Sequence, residues 1–239
     1  MKTLVLYVFH IFNDRVQTFI DKAIFQDENT DFIMICNNKD IVNFKAPEYV
    51  KRLIRHNIGF DFGGWSDALL TDDLYKSYDN FIFVNSSVLG PFLPNNFTGK
   101  WTDIYLAGLK DNVKLFGSTI NTCSNYENPT RFCHVQSYIF AMNRETLDLL
   151  ISGNIFSKDH YAKTFNDAVW AKEVHMSRLV LQNGGNIGSL LKYYRGVDFT
   201  FKVRPNVIMM GDLMFNQYRN VYWNEYDLVF VKGNRKIIF

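Results

Sequence analysis

The chain has 239 residues, a formal net charge of +2 and a hydrophobic fraction of 47%. This length allows one large domain or two small ones, and the hydrophobic fraction is ample for a continuous core. Lysines and arginines are spread along the sequence, and so small a net charge points to neither a nucleic-acid partner nor a membrane surface. Aromatic residues make up 16% of the chain, which fits a phenylalanine-rich core or a cleft whose rings bind bases and sugars.

The sequence indicates no membrane span and no disulfide framework. No run approaches the roughly 18 consecutive apolar residues of a transmembrane helix. The apolar start of the chain is short and lacks the small-residue cleavage site of a signal peptide. The three cysteines are irregularly spaced, which argues against a disulfide framework and a zinc site. We therefore expect reduced thiols and a cytoplasmic protein.

The first predicted elements form a β-α-β unit. Leu4–Phe9 is a continuous apolar run, as expected for a parallel strand covered on both faces. Asn13 can cap a helix that extends to about Phe25 and has apolar residues at helical spacing. Phe32–Cys36 is a second short strand. This opening favours a parallel sheet with right-handed crossovers, so the predicted fold class is α/β.

The later elements are more strands and helices. Further strands are predicted at Val50–Ile54, Phe81–Val84, Lys114–Phe116 and Ser137–Ala141. Further helices are predicted at Ser66–Leu74, Arg144–Ile151 and Tyr161–Leu181, the last with a break whose position the sequence does not give. No repeat or low-complexity linker interrupts the sequence, and we predict a single domain over residues 1–239.

Polar residues follow four of the predicted strands at their carboxyl ends. They are His10, Asn37 with Asn38, the stretch Asn57–Gly64, and Asn85–Ser87. Ligands of open parallel sheets bind beyond the carboxyl ends of the strands, although Asn, Asp, Ser and Gly are also the ordinary residues of turns. Together the four clusters predict a ligand-binding edge, where Asp61 is a candidate acceptor for ribose or sugar hydroxyls.

Three motifs occur in order along the chain: Asn57–Gly64, Asn85–Pro91 and His134–Tyr138. The series resembles the rhamnan synthesis protein F family of glycosyltransferases and related bacterial and viral GT-A enzymes. The resemblance covers about residues 1 to 191 and is strongest between 57 and 138. It implies a GT-A-like, Rossmann-type fold with a mostly parallel central sheet flanked by helices. It also implies a nucleotide-sugar donor, with a deoxyhexose such as rhamnose or fucose, and a glycan acceptor.

The donor site is predicted at the same edge. Its predicted residues are His10, Asn37, Asn57, Asp61, Asn85, Ser86, Ser87 and Arg195. His10, Asn57 and Asp61 would contact the nucleoside half of the donor, and Asn85–Ser87 its diphosphate or sugar. Arg195 is the first choice, among the basic residues of Lys192–Arg204, to offset charge on the departing diphosphate, because arginine binds phosphate in a bidentate manner. A surface position is the alternative for each of those basic residues.

The expected metal motif is absent. In GT-A enzymes the strand that corresponds to Phe81–Val84 usually ends in Asp-x-Asp, which holds a divalent ion against the donor phosphates. Here Asn85–Ser87 takes that place, and amides and hydroxyls are poor ligands for Mg²⁺ or Mn²⁺. A late histidine often completes such sites, yet none follows His175. We predict no metal ligand and either metal-independent catalysis or an inactive site, while Mn²⁺ or Mg²⁺ held elsewhere stays open.

The predicted base is Glu173. With the following Val174–Arg178 it resembles the acidic motif of inverting GT-A enzymes, in which a carboxylate at a helix start deprotonates the acceptor hydroxyl, a contribution of roughly 10²- to 10⁴-fold. A carboxylate that only stabilises the helix start is the alternative. Asp167 is the second candidate base. The predicted acceptor-binding residues are His134, Gln136, Ser137 and Trp65. Packing in the core is the alternative for Trp65, and a hydrogen bond that only holds the ring in place is the alternative for His134.

Two other functions compete with an inverting glycosyltransferase. A catalytically silent module of the same fold that binds nucleotide sugars or glycans is favoured by Asn85–Ser87, which lacks the metal carboxylates. A nucleotidyltransferase would need a basic, glycine-rich phosphate loop after the first strand, and His10–Arg15 is not one.

Overall fold

The computed structural model describes residues 1–41, 43–123, 132–213 and 220–234. Its strands are β1 (Thr3–Phe9), β2 (Thr30–Cys36), β3 (Lys51–Ile54), β4 (Asn80–Asn85), β5 (Val88–Leu89), β6 (Val113–Gly117), β7 (Ile120–Asn121), β8 (His134–Val135), β9 (Ile139–Asn143), β10 (Asn186–Ser189) and β11 (Val231–Lys232). Seven of them form a central sheet in the order β10-β6-β9-β4-β1-β2-β3, while β5 pairs with β11 and β7 with β8.

Helices connect and flank these strands. They are α1 (Asp14–Ala23), α2 (Phe60–Leu70), α3 (Trp101–Leu106), α4 (Arg144–Ser152), α5 (Phe165–Asp167), α6 (His175–Gln182) and α7 (Glu225–Leu228). Short 3₁₀ helices occupy Thr71–Ser77 and Lys192–Tyr194, and a π-helical segment, Ala168–Val174, joins α5 to α6. Within the described ranges, no helix is long and apolar enough to cross a membrane.

The central sheet is mostly parallel, as the sequence predicted. Strand β1 pairs in parallel with β2 and β4, β2 with β3, and β6 with β10. Only β9 is antiparallel to its neighbours in this sheet, β4 and β6. The carboxyl ends of the other six strands therefore lie at one edge of the sheet, which we call the carboxyl edge, and β9 enters the sheet there. The α/β class with a mostly parallel, helix-flanked sheet is confirmed.

Two apolar cores lie on opposite faces of the sheet. Leu4, Leu6 and Val8 of β1 belong to one core and Val5, Tyr7 and Phe9 to the other, because successive side chains of a strand point to opposite faces. All seven residues of β1 are buried, which accounts for the uninterrupted apolar run at the start of the sequence. Many of the aromatic residues pack in these two cores.

Helix α2 begins six residues before the predicted start at Ser66, so the glycine-rich stretch belongs partly to a helix. Gly59 precedes it with a φ of +77°, a conformation that glycine adopts without strain. A Cβ on Gly63 would lie 2.0 Å from the carbonyl oxygen of Ile58, and one on Gly64 would lie 2.9 Å from Oδ1 of Asn37. The glycines therefore let the first turn of α2 pack closely against the ends of β2 and β3.

The predicted helix Tyr161–Leu181 begins later and contains the expected break. Thr164 caps α5 through a reciprocal hydrogen-bonded capping box with Asp167, and the π-helical segment that follows is the break. The predicted strand at Ser137–Ala141 also begins two residues later, at Ile139. Its first two predicted residues, Ser137 and Tyr138, precede the sheet, and the Ser137 N–H bonds to a side chain instead.

Candidate functional site

Four polar residues at the carboxyl edge form a hydrogen-bonded series, which we call the Asp61–Glu173 cluster. Asn85 Nδ2 donates to Oδ2 of Asp61 at 3.0 Å and lies 3.5 Å from the carbonyl oxygen of Ser137. The Ser137 N–H donates to Oε1 of Glu173 at 2.6 Å. The last residue of β4, the first turn of α2, the approach to β9 and the π-helical segment each contribute one member. Residues distant in sequence thus place two carboxylates beside one polar edge.

The environment of Asp61 disfavours its charged form. Burial raises the pKa of Asp61 from 3.8 to about 6, opposed by the hydrogen bond from Asn85. The nearby charge of Glu173 raises this pKa further, whereas Lys232 and His10 lower it. Such perturbed carboxylates are concentrated at functional sites because catalysis and charged ligands require them.

The helical run that carries Glu173 is anchored by hydrogen bonds on both sides of this residue. The Nζ of the preceding Lys172 donates to the carbonyl oxygens of Asn154 and His160 at 2.5 and 2.6 Å. One helical turn later, the hydroxyl of Ser177 accepts a hydrogen bond from Val135 N at 3.0 Å. Glu173 lies in the π-helical segment Ala168–Val174, which continues directly from α5 into α6, so the predicted helix start is not observed. One oxygen of Glu173 accepts from Ser137, and no described group donates to the other.

The Asn85–Ser87 segment forms a tight turn. The Ser87 N–H and hydroxyl both donate to Oδ1 of Asn85, at 3.0 and 2.5 Å. The Ser86 N–H continues the pairing with β1 through Val8 O at 2.9 Å. Both ends of the Asn85 amide are thus engaged, and hydrogen bonds to Val8, Arg15, Asn85 and Gly233 fix the backbone of Ser86 and Ser87.

Two basic residues that the sequence interpretation did not select lie beside this turn. Arg15 Nε donates to Ser86 O at 2.9 Å, and Lys232 follows Val231 in the short strand that pairs with β5. The sequence carried a signal for Arg15, because the first turn of a helix that follows a parallel strand starts at the carboxyl edge. It carried none for Lys232, which is brought there by tertiary pairing.

Asn37 is part of the scaffold of the site. Its side chain donates to Phe60 O at 2.9 Å and accepts from Nη1 of Arg55 at 2.8 Å, and the residue is 1% exposed. Arg55 also bonds to Oδ2 of Asp67 at 2.6 Å and to the carbonyl oxygen of Ile58 at 2.8 Å. Because the Asn37 amide is fully engaged and buried, the prediction that it contacts the donor is corrected: it fixes the first turn of α2.

Removing the Arg55 guanidinium is expected to destabilise the fold. In Arg55→Met, Asp67, Asn37 and Ile58 O lose their buried donor, and we expect the free energy of unfolding to fall by about 3 kcal/mol. Urea unfolding measures this change. Arg52→Met is the matched control on β3, the strand that Arg55 directly follows, since Arg52 is exposed and bonds to Ala46 O; its loss should be below about 1 kcal/mol. Equal losses would contradict this role of Arg55.

The predicted acceptor-binding residues are mostly interior. Trp65 is 0% exposed, and its Nε1 donates to Leu6 O at 3.2 Å. The prediction that it stacks on a sugar is therefore wrong, because its ring packs in the core. His134 and Gln136 are buried, with His134 Nδ1 bonded to Phe132 O and the Gln136 carbonyl oxygen bonded to Thr119. Burial likewise corrects their predicted contact with an acceptor, and Ser137 alone of this set joins the Asp61–Glu173 cluster.

The remaining predicted residues are at least partly accessible. His10 is exposed, and its Nδ1 donates to Asn37 O at 2.8 Å, which leaves Nε2 facing away from that bond. Asn57 and Arg195 are exposed; their contact with a donor stays a prediction. Asp167 accepts from the backbone of Thr164 and Lys163, so the structure gives this second candidate base the function of a helix cap.

The residues present fit a divalent metal poorly. Among the described residues, no three His, Cys, Asp or Glu side chains gather as a possible metal site. At the end of β4, Oδ1 of Asn85 is already occupied by Ser87, and amide and hydroxyl oxygens are weaker ligands than carboxylates. The described residues therefore offer a divalent ion no suitable set of ligands, and metal independence stays a prediction.

The fold places this chain among the α/β proteins with an open, mostly parallel sheet, whose ligands commonly bind beyond the carboxyl ends of the strands. A family model described as rhamnan synthesis protein F matches residues 32–217 of this chain. The match covers more than half of the chain, which therefore belongs to the rhamnan synthesis protein F family, as the motifs indicated. The description of the family names rhamnan synthesis.

Other similarities are more limited. Two sequences of virulence protein VirA from Vibrio anguillarum, one of them from strain ATCC 68554 / 775, are each 30% identical over 105 residues, which is 43% of this chain and 29% of theirs. The matched region thus spans less than a third of those relatives. The crystal structure of A197 from STIV aligns with 62% of this chain and 68% of its own, with a TM-score of 0.33 and 11% identity, too low to support an inference.

Proposed function

We propose that this chain is a GT-A-type glycosyltransferase that moves a sugar from a nucleotide-sugar donor to a hydroxyl group of a glycan. The observation that carries the proposal is the Asp61–Glu173 cluster, in which two carboxylates on separate elements face one polar edge through Asn85 and Ser137. The family indicates glycosyl transfer, and the mostly parallel sheet with one antiparallel strand is compatible with a GT-A arrangement.

Glu173 is the proposed base of an inverting, single displacement. Its oxygen Oε1 is fixed by the Ser137 N–H, and Oε2 has no described donor, so Oε2 is available to the acceptor. It removes the proton of the acceptor hydroxyl as the hydroxyl oxygen attacks the anomeric carbon. The bond from that carbon to the diphosphate oxygen breaks, and the nucleoside diphosphate leaves with the electron pair. General-base catalysis of this kind contributes roughly 10²- to 10⁴-fold.

Asp61 and the Asn85–Ser87 turn are proposed to hold the donor. One oxygen of Asp61 accepts from Asn85, and the other has no described partner, so it can accept a hydrogen bond from a ribose or sugar hydroxyl. A deoxyhexose such as rhamnose or fucose is the proposed sugar, on the strength of the family alone. A cytoplasmic location remains part of the same proposal.

A thermal-shift screen tests donor binding directly. The protein is mixed with UDP, GDP, dTDP and their sugars, including dTDP-rhamnose and GDP-fucose, each with EDTA and with Mn²⁺. A ligand at 100 times its dissociation constant adds about 2.7 kcal/mol of stability, which gives a clear shift. We expect one nucleotide to stabilise the protein in EDTA and its sugar conjugate to be turned over with release of the nucleoside diphosphate.

The alternative is a silent module of this fold that binds nucleotide sugars or glycans. The observation that favours it is the neutral Asn85–Ser87 turn in place of carboxylates. Binding of a nucleotide sugar without turnover, over a panel of glycan acceptors, would support the module. Stabilisation by Mn²⁺ with a nucleotide, and not in EDTA, would show that carboxylates elsewhere hold a metal. No shift with any nucleotide would overturn the transferase.

A further inference from the structure

The guanidinium of Arg15 has unused hydrogen-bonding capacity at the carboxyl edge. Arg15 lies in the first turn of α1, whose cap Asn13 accepts from the backbone of Arg15 and Val16. Only Nε is engaged, through Ser86 O at 2.9 Å, and no described residue accepts from its two terminal nitrogens. The bond to Ser86 fixes the side chain against the Asn85–Ser87 turn. An arginine fixed in this way offers a fork of donors suited to a phosphate group.

Lys232 is brought to the same turn by backbone pairing. In the β5–β11 ribbon, Lys232 lies opposite Val88, and the Gly233 N–H donates to Ser87 O at 2.7 Å. The next residue lies close to Arg15, since a Cβ built on Gly233 would lie 3.1 Å from Cδ of Arg15. Within the described residues, no carboxylate forms a salt bridge with Lys232 or with Arg15. Arg15 and Lys232 therefore flank the Asn85–Ser87 turn, and neither forms an ion pair with a described carboxylate.

A buried hydroxyl beneath Arg15 also lacks a partner. Tyr7 is 1% exposed, and its hydroxyl makes no hydrogen bond with the described residues. Burial raises the pKa of the Tyr7 hydroxyl, while the charge of Arg15 lowers this pKa and that of Asp61 raises it. Buried polar groups without a partner are uncommon and call for a ligand or a water molecule. Tyr7 is thus an independent sign that an acceptor group belongs near Arg15 and the Asn85–Ser87 turn.

We propose that Arg15 and Lys232 form a diphosphate subsite beside the Asn85–Ser87 turn. This inference rests on the proposed function, because the diphosphate is that of the proposed sugar donor. It places the diphosphate beside the Asn85–Ser87 turn, on the side of the site away from Glu173. Arg15 donates through its terminal nitrogens, and Lys232 contributes a point charge from the second strand of the ribbon. As the bond to the anomeric carbon breaks, the two cations stabilise the charge that grows on the leaving diphosphate.

The test measures binding of inorganic pyrophosphate, and of the nucleoside diphosphate selected by the thermal-shift screen, to Arg15→Lys, Lys232→Met and wild-type protein in EDTA. Arg15→Lys keeps the charge and removes the fork, whereas Lys232→Met keeps the length and removes the charge. Each variant is expected to bind both probes about 10- to 100-fold more weakly. Lys22→Met, in the last turn of the same helix and exposed, is the control and should bind like the wild type. Circular dichroism verifies that each variant is folded.

The outcomes separate this inference from the proposed function. If Lys232→Met and Arg15→Lys bind both probes as tightly as wild type while sugar transfer persists, the subsite lies elsewhere and the transferase stands. If both variants lose pyrophosphate binding and no nucleotide sugar is turned over by the wild type, the subsite stands and the transferase fails. Equal weakening in Lys22→Met would show a general effect of net charge and would overturn the subsite. If one variant does not fold, the other decides.

Discussion

Replacing Glu173 with glutamine is expected to lower kcat for sugar transfer by about 10²- to 10⁴-fold, the usual contribution of a general base. Glutamine keeps a carbonyl oxygen that can accept the Ser137 N–H, so the side chain stays in position. Its amide nitrogen cannot take up a proton. Because the change affects the chemical step, KM for the donor should change little. Steady-state kinetics with the donor found by the binding screen measures both constants.

Asp167→Asn is the matched control for Glu173→Gln. Both substitutions convert a carboxylate to its amide in the same run of helix, but Asp167 caps α5 through the backbone of Thr164 and Lys163. We expect a small loss of stability and an unchanged kcat. A large drop in kcat for Asp167→Asn, with near-normal turnover in Glu173→Gln, would reverse the assignment of the base.

Asp61→Asn is expected to stabilise the protein at alkaline pH and to weaken donor binding. Burial raises the pKa of Asp61 to about 6 from 3.8, so the native state holds its proton more tightly than the unfolded chain. The free energy of unfolding of the wild type therefore falls as pH rises from about 4 to about 6 and stays lowered above that. A shift of this size corresponds to about 3 kcal/mol. Asparagine cannot ionise, so the variant escapes this loss.

Urea unfolding at about pH 4 and about pH 8 measures the effect. The stability of Asp61→Asn relative to wild type should rise between these values by up to about 3 kcal/mol. Asp167→Asn provides a control of opposite sign, because hydrogen bonds from Thr164 lower the pKa of Asp167. The stability of this variant relative to wild type should therefore fall as the pH rises. If the relative stability of Asp61→Asn does not change with pH, the environment does not raise the pKa of the Asp61 carboxylate. A gain in stability with a loss of donor binding would mark Asp61 as a functional residue.

The site was only partly predictable, and particular residues show why. Asp61, Asn85 and Glu173 were selected from strand-end positions and motif resemblance, and they meet in the structure. Trp65 and Asn37 were selected by the same reasoning but are buried. Residue type and position along a strand do not reveal whether a side chain points to the edge or into the scaffold below. Packing of α2 against the central sheet decided that for both residues.

The sequence by itself determined the α/β class, most of the strands, the Asn13 cap and the family. These features are local, because apolar periodicity, capping side chains and turn residues act over a few positions. The tertiary structure alone decided the π-helical setting of Glu173, the antiparallel entry of β9 and the arrival of Lys232 beside Arg15. Each depends on hydrogen bonds or strand pairing between segments far apart in the chain. The stabilisation comes from both segments together, so no short stretch of sequence predicts it.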